Sequence, residues 1–295
     1  MNNLSLGRRM ALLGVAAFLA FGVSVGATSA ETLKDKVASK GKLTIGIYGA
    51  WPYGMATNDG GVAGIFPEIL KAVTASLGVK EVAFEVMEFG ALIPSLMSHR
   101  IDVVAGGMYI TEARCKQVEF SEPVGGAQGN SAVVKVGNPL NIHGYEDIAK
   151  NPAIRVGDIR GAASVEYLAA AGIPKDRILL FPDKTAAVGA LFANRIDALI
   201  YDTGTALSIL RDPNVKGYER AQPFKEVVRG REMKHYEAFA FRPEDADFRD
   251  AVNMGISQRV VDGTVEKVFV KYSFSKEDAK PTGVTTKELC GSNFH

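Results

Sequence analysis

Apolar and polar residues alternate over residues 42–47 and again over 154–159, the period of a half-buried strand. Helical spacing follows each of them, over 66–77 and 164–171. Residues 82–86 and 178–181 read as the next strands, with helices over 92–96 and 187–191 behind them. Both series then arrive at one motif. Leu96-Met97-Ser98-His99-Arg100-Ile101-Asp102-Val103-Val104 is matched 95 positions later by Leu191-Phe192-Ala193-Asn194-Arg195-Ile196-Asp197-Ala198-Leu199. Helix, Arg-Ile-Asp turn and apolar strand occur twice, so each half reads strand, helix, strand, helix, strand.

Strands alternating with helices build parallel sheets through right-handed crossovers, which predicts an α/β fold with two similar lobes. In such sheets ligands sit beyond the carboxyl ends of the strands. Those ends carry residues 49–53, Glu88, Phe89 and residues 106–109 in the first half. In the second half they carry residues 158–160, Asp183, Lys184, Tyr201 and Asp202. If the halves face one another, both sets line a single cleft. The strand-like run 133–139 suits the chain leaving the first lobe, and 238–243 suits its return. Phe248, Val252, Ile256 and Val260 then recur at helical spacing on the first lobe. The expected division is a first lobe of 31–134 and 240–295 and a second of 135–239, joined by a two-crossing hinge.

Composition narrows the class. The chain has 295 residues, 47% hydrophobic and 23% charged, enough to pack two cores and unlike a disordered segment. Lys and Arg number 34 against 33 acidic residues, so the basic excess that a phosphate backbone demands is missing and no nucleic-acid partner is expected. Arg8 and Arg9 precede an apolar run and then the small residues 26–30, the pattern of a cleaved secretory signal peptide over 1–30. The run is short for a membrane anchor, and the Arg pair leaves the export route open. Cleavage would remove only those two charges, taking the net charge from +1 to −1. In an oxidising compartment Cys115 and Cys290 invite a disulfide that fastens the tail to the body. Two buried thiols are the alternative, and a metal has no support from their spacing.

Catalytic patterns are missing. The four histidines form no His-Glu-x-x-His pair, and Cys-x-x-Cys, G-x-S-x-G and G-x-x-x-x-G-K are absent, so no catalytic residue, metal or cofactor is expected. Binding chemistry is richer. Arg114 follows Gly106-Gly107-Met108-Tyr109 where a loop enters a helix, a place for a guanidinium to take a carboxylate beside free amides. The rival is a surface arginine paired with Glu112 or Glu119. Trp51, Tyr53, Phe89 and Tyr109 follow successive strands of the first half. Such faces can surround a cation, although core packing is the commoner fate of an aromatic ring.

Three segments resemble the signature of periplasmic solute-binding proteins of polar amino-acid ABC importers, within a likeness that covers essentially the whole chain after the signal. They are Gly90-Ala91-Leu92-Ile93-Pro94-Ser95-Leu96, Gly107-Met108-Tyr109-Ile110-Thr111-Glu112-Ala113-Arg114-Cys115 and Val118-Glu119-Phe120-Ser121-Glu122-Pro123. The Arg114-Cys115 pair, Gly137-Asn138-Pro139 and Thr285-Thr286-Lys287-Glu288-Leu289-Cys290 bring the likeness nearest to the ectoine and hydroxyectoine binders. The resemblance implies a two-lobed periplasmic-binding-protein fold of type II. It implies that Arg114 grips a ligand carboxylate near Gly107, that Tyr53, Phe89 and Tyr109 form an aromatic cage with Trp51 nearby, and that Asp202 meets an ammonium. Ser164 would join from the second lobe on closure. Two places depart from the ectoine pattern: Ala50 stands where those binders carry an acid, and so does the neighbourhood of Ser164.

The expected function is capture of a small zwitterion, amino-acid-like or ectoine-like, by a periplasmic monomer whose lobes close on it and which serves an ABC permease and ATPase. A different class of function, an enzyme on this scaffold such as a cyclic-acid dehydratase, needs a proton donor in the cleft. Glu88, Asp158, Lys184 and Asp202 are the candidates. A role as ligand-loaded partner of a chemoreceptor would differ only in its docking surface.

Overall fold

A computed structural model describes residues 31–126, 129–280 and 283–294; the expected signal peptide over 1–30 lies outside them. The Arg-Ile-Asp repeat is one joint used twice. Helix Leu92–Met97 is followed by His99 and helix Lys184–Phe192 by Asn194, with φ of 58° and 52°, left-handed residues that end each helix. The aspartate then accepts an amide from the start of the neighbouring strand: Asp102 from Thr44 at 2.8 Å, Asp197 from Arg155 at 2.9 Å. The isoleucine fills the space over a strand glycine. A Cβ on Gly46 would collide with Cδ1 of Ile101, and one on Gly157 with Cδ1 of Ile196.

Two five-stranded sheets result, with the same order. The first runs Glu81–Val86, Lys42–Ile47, Val103–Tyr109, Glu237–Phe241, Glu119–Phe120. Its first three strands are parallel, with Ile45 opposite both Phe84 and Val103, and Glu237 enters antiparallel opposite Tyr109. The second runs Ile178–Phe181, Val156–Ile159, Ala198–Asp202, Asn130–Lys135, Tyr218–Arg220. Again three strands are parallel, and Asn130 enters antiparallel opposite Asp202. In each sheet the fourth place belongs to the strand that arrives from the other lobe.

That rule corrects the lobe boundaries read from the sequence. Residues 130–134 were assigned to the first lobe, but they form an inner strand of the second sheet, bonded to Ala198–Asp202 on one side and Tyr218–Arg220 on the other. Residues 237–239 were assigned to the second lobe, but they lie between strands of the first sheet. Both runs are buried, and the strands they pair with belong to the sheet they enter. The crossings therefore fall just before Asn130 and just before Glu237.

Helices cover both faces of each sheet. Ile65–Thr74, Ala246–Val261 and Thr264–Lys271 pack on the first sheet, with Phe248, Val252 and Ile256 buried in the same core as Phe66 and Val73. On its other face, Leu92 and Leu96 pack beside Met108, Phe120, Cys115 and Cys290. The two cysteines form a disulfide with a Cα–Cα distance of 5.6 Å, fastening helix Thr286–Cys290 to helix Glu112–Cys115.

Candidate functional site

The carboxyl ends of both sets of parallel strands meet in one cleft of about 560 Å³, counting its open mouth. Arg114 stands on one wall. The Thr111 side chain caps the short helix Glu112–Cys115, and this turn folds the guanidinium back over the strand end. Its Nη1 donates to the Tyr109 carbonyl at 2.6 Å and its Nη2 to the Gly161 carbonyl, in the facing lobe, at 3.0 Å. The ring of Phe89 lies 5.4 Å below it. The side chain is 7% exposed, and Glu119 is engaged by Arg249, so the surface-pair reading fails. Burial lowers its pKa to about 10, which leaves it charged at neutral pH. Two of its five N–H groups serve those carbonyls.

Opposite Arg114 lies the start of helix Ala163–Ala170, whose first-turn amides receive no side-chain cap. Ala162, Ala163 and Ser164 line the cleft there. A carboxylate between that helix end and Arg114 would meet a cation and the positive end of a dipole together.

The other walls are aromatic and acidic. Tyr53, Phe89 and Tyr109 line the cleft as expected, joined by Tyr48 and Tyr201, whose hydroxyls meet across the lobes at 3.3 Å. Tyr109 is braced by His235, stacked at 4.7 Å, and its hydroxyl donates to the Gly129 carbonyl at 3.4 Å. Gly107, with φ of 72°, leaves room for the Tyr53 ring; a Cβ there would come within 2.7 Å of it. The Tyr53 hydroxyl reaches the Asp202 carboxylate, and burial pushes the phenol well above its ordinary range.

Asp202 caps helix Thr203–Arg211 by accepting the Thr205 amide at 2.7 Å. Burial raises its pKa in spite of that bond. Asp158 also lines the cleft, 1% exposed, and burial pushes it up to about 7. Glu237, behind Tyr53, is raised well above the usual carboxylate range by burial and then by Asp202. Among the described residues lining the cleft, Arg114 is the sole arginine or lysine against the two carboxylates.

Several expectations need revision. Trp51, expected among the ligand-binding residues, does not line the cleft: it packs on the first core with its ring 5.1 Å from the Arg211 guanidinium of the facing lobe, a contact between the lobes. Of the four candidate proton donors, Glu88 is tied to Arg160 at 3.1 Å, and neither it nor Lys184 lines the cleft, whereas Asp158 and Asp202 do. Tyr48, Asn130 and Thr205 were not anticipated as lining residues. Asp158 was seen as a strand end but not as a binding residue. One signal for it was available: with Gly157 aligned on Gly46, Asp158 falls where the first lobe has the fully buried Ile47.

Residues 43–276 match the bacterial extracellular solute-binding proteins, family 3. The chain is 31% identical over 285 residues to the probable amino-acid ABC transporter periplasmic-binding protein y4tE of Sinorhizobium fredii, across 95% of this chain and 93% of that one. It is 29% identical to the L-cystine-binding protein TcyJ of Escherichia coli, across 90% of this chain and 95% of that one. Among solved structures it is similar to EhuB in complex with hydroxyectoine, with a TM-score of 0.80 and 28% identity over 89% of this chain and 99% of that one.

Proposed function

The chain belongs to the bacterial extracellular solute-binding proteins of family 3, and from that premise we propose that it captures a small zwitterion, amino-acid-like or ectoine-like, and hands it to the permease and ATPase of an ABC importer. It works outside the cytoplasm, in the periplasm after cleavage of residues 1–30, as a monomer and without nucleic acid. The relatives above are named as binding proteins, one for L-cystine and one seen with hydroxyectoine, which favours this reading over a cyclic-acid dehydratase.

The observation that carries the reading is the buried Arg114, held by carbonyls from both lobes and faced by an uncapped helix end. A ligand carboxylate would sit between them, its cationic end turned toward Asp202 with Tyr53, Phe89 and Tyr109 around it. Gly107 shapes the first-lobe wall and Ser164 the second. Because these groups belong to different lobes, the ligand makes its full set of bonds only in the shut state and so shifts the population toward it.

The test is a thermal-shift screen of the mature protein against amino acids, betaines, ectoines and cyclic imino acids, followed by calorimetry. A ligand at about 100 times its Kd stabilises by about 2.7 kcal/mol. Arg114→Ala is expected to abolish binding of every carboxylate hit while the fold persists by circular dichroism. Unchanged affinity in that variant overturns the assignment.

A further inference from the structure

The acidic excess in the cleft has a specific locus. Asp158 closes the strand Val156–Ile159, and its Oδ1 accepts the Ile159 amide at 2.6 Å. Its Oδ2 is buried and, among the described residues, accepts no hydrogen bond. A buried acceptor without a donor costs its full desolvation, and such atoms in native proteins call for an explanation. The surroundings deepen the deficit. The Ser164 hydroxyl and the Ile159 amide favour the charged form, but burial outweighs both, and Asp202 opposes it. No lysine or arginine of the second lobe lines the cleft among the described residues, and the two hydrogen bonds described for the Arg114 guanidinium go to the carbonyls of Tyr109 and Gly161, not to Asp158.

We infer that Asp158 is a specificity-determining residue whose free Oδ2 receives a second cationic nitrogen of the ligand, so that the cargo carries one carboxylate and two cationic nitrogens, as a dibasic amino acid does. This rests on the binding-protein reading above and narrows its substrate class. The charges agree. Arg114 with the ionised Asp158 and Asp202 leaves the cleft one negative charge in excess, which a ligand of net charge +1 cancels. A simple zwitterion would leave Oδ2 as it stands now. Ala50 gives the first-lobe wall no acid, so a second cation finds its counter-charge only in the second lobe. Glu237 stays out of the count, since it does not line the cleft.

Calorimetry on the mature full-length protein with matched pairs tests this: arginine against citrulline, ornithine against norvaline, lysine against norleucine. Wild type is expected to bind the dibasic member of at least one pair about tenfold or more tighter, the scale of one charge-assisted bond. Asp158→Asn is expected to bring that ratio close to one. If Asp158→Asn does not fold, Asp158→Ser and the wild-type ratios alone still decide. Equal affinity within every pair in wild type, or a preference that survives the substitution, overturns the inference while zwitterions still bind. Absence of binding by any zwitterion overturns the binding-protein reading and this inference with it.

Discussion

Arg114 of the first lobe donates to the carbonyl of Gly161 in the second at 3.0 Å, directly beside the space a ligand would fill. The residue proposed to hold the ligand is thus also a bolt between the lobes. It shares that duty with Tyr48 on Tyr201, Glu88 on Arg160, and Trp51 on Arg211.

Arg114→Lys separates the two duties. A lysine keeps the charge but lacks the planar fork that serves two carbonyls and a carboxylate at once. The expected loss is about 2–3 kcal/mol of binding free energy, a rise in Kd of about 30-fold to about 160-fold by calorimetry. A lysine variant with wild-type Kd would show that charge alone holds the carboxylate.

Tyr109→Ala tests the cage. Its ring lies on the cleft wall and stacks on His235 at 4.7 Å, so the substitution removes an aromatic face held in place. Loss of a desolvated aromatic face is expected to cost about 1–2 kcal/mol, more for a quaternary amine than for a primary one, when both are titrated by calorimetry. Equal losses for the two amines would contradict a cation–ring role.

The buried acids set a pH dependence of unusual sign. Burial pushes Asp158 up to about 7 and raises Asp202 and Glu237 as well. Between the ordinary carboxylate pKa of Asp158, 3.8, and about 7, the folded protein holds a proton that the unfolded chain has released. Its contribution therefore weakens stability as pH rises through that window, is absent below it and is complete above it, by at most about 4 kcal/mol. Ligand-free Asp158→Asn is expected to melt above wild type at about pH 8 and to converge with it near pH 4. A melting-temperature difference that does not change with pH would contradict this account of the carboxyl.

The disulfide closes a long loop and is expected to matter for stability more than for affinity. Cys290→Ser should cost about 2–5 kcal/mol in chemical unfolding, and a reducing agent should reproduce the loss in wild type. Ligand Kd measured well below the new melting point is expected to change little, because Cys290 does not line the cleft. A large change in Kd would instead tie the tail to the placement of Arg114.

Much of the architecture was legible because it is local. The Arg-Ile-Asp repeat encodes a helix stop, a strand-binding aspartate and an isoleucine over a glycine, all within short reach in sequence or in one sheet. The lobe boundaries were misplaced because 130–134 and 237–239 read as strands whose partners lie far along the chain, and a strand does not announce which sheet it will join. Arg114 was readable from its loop-to-helix position. Trp51 was not distinguishable from its aromatic neighbours, since nothing nearby in sequence reveals Arg211. For Asp158, the bare oxygen is a property of the assembled neighbourhood, and only the alignment with Ile47 hinted at it.

The shared strand order makes the lobes unequal in how they are made. Every strand of the second sheet falls within the single stretch 130–220, whereas the first sheet also needs Glu237–Phe241, which comes after all of them. In a polypeptide that emerges amino end first, the second sheet has its whole set to hand while the first still waits for a late arrival. The lobe whose strands begin later in the chain is the one that can assemble first, and the half that bears Arg114 is finished last.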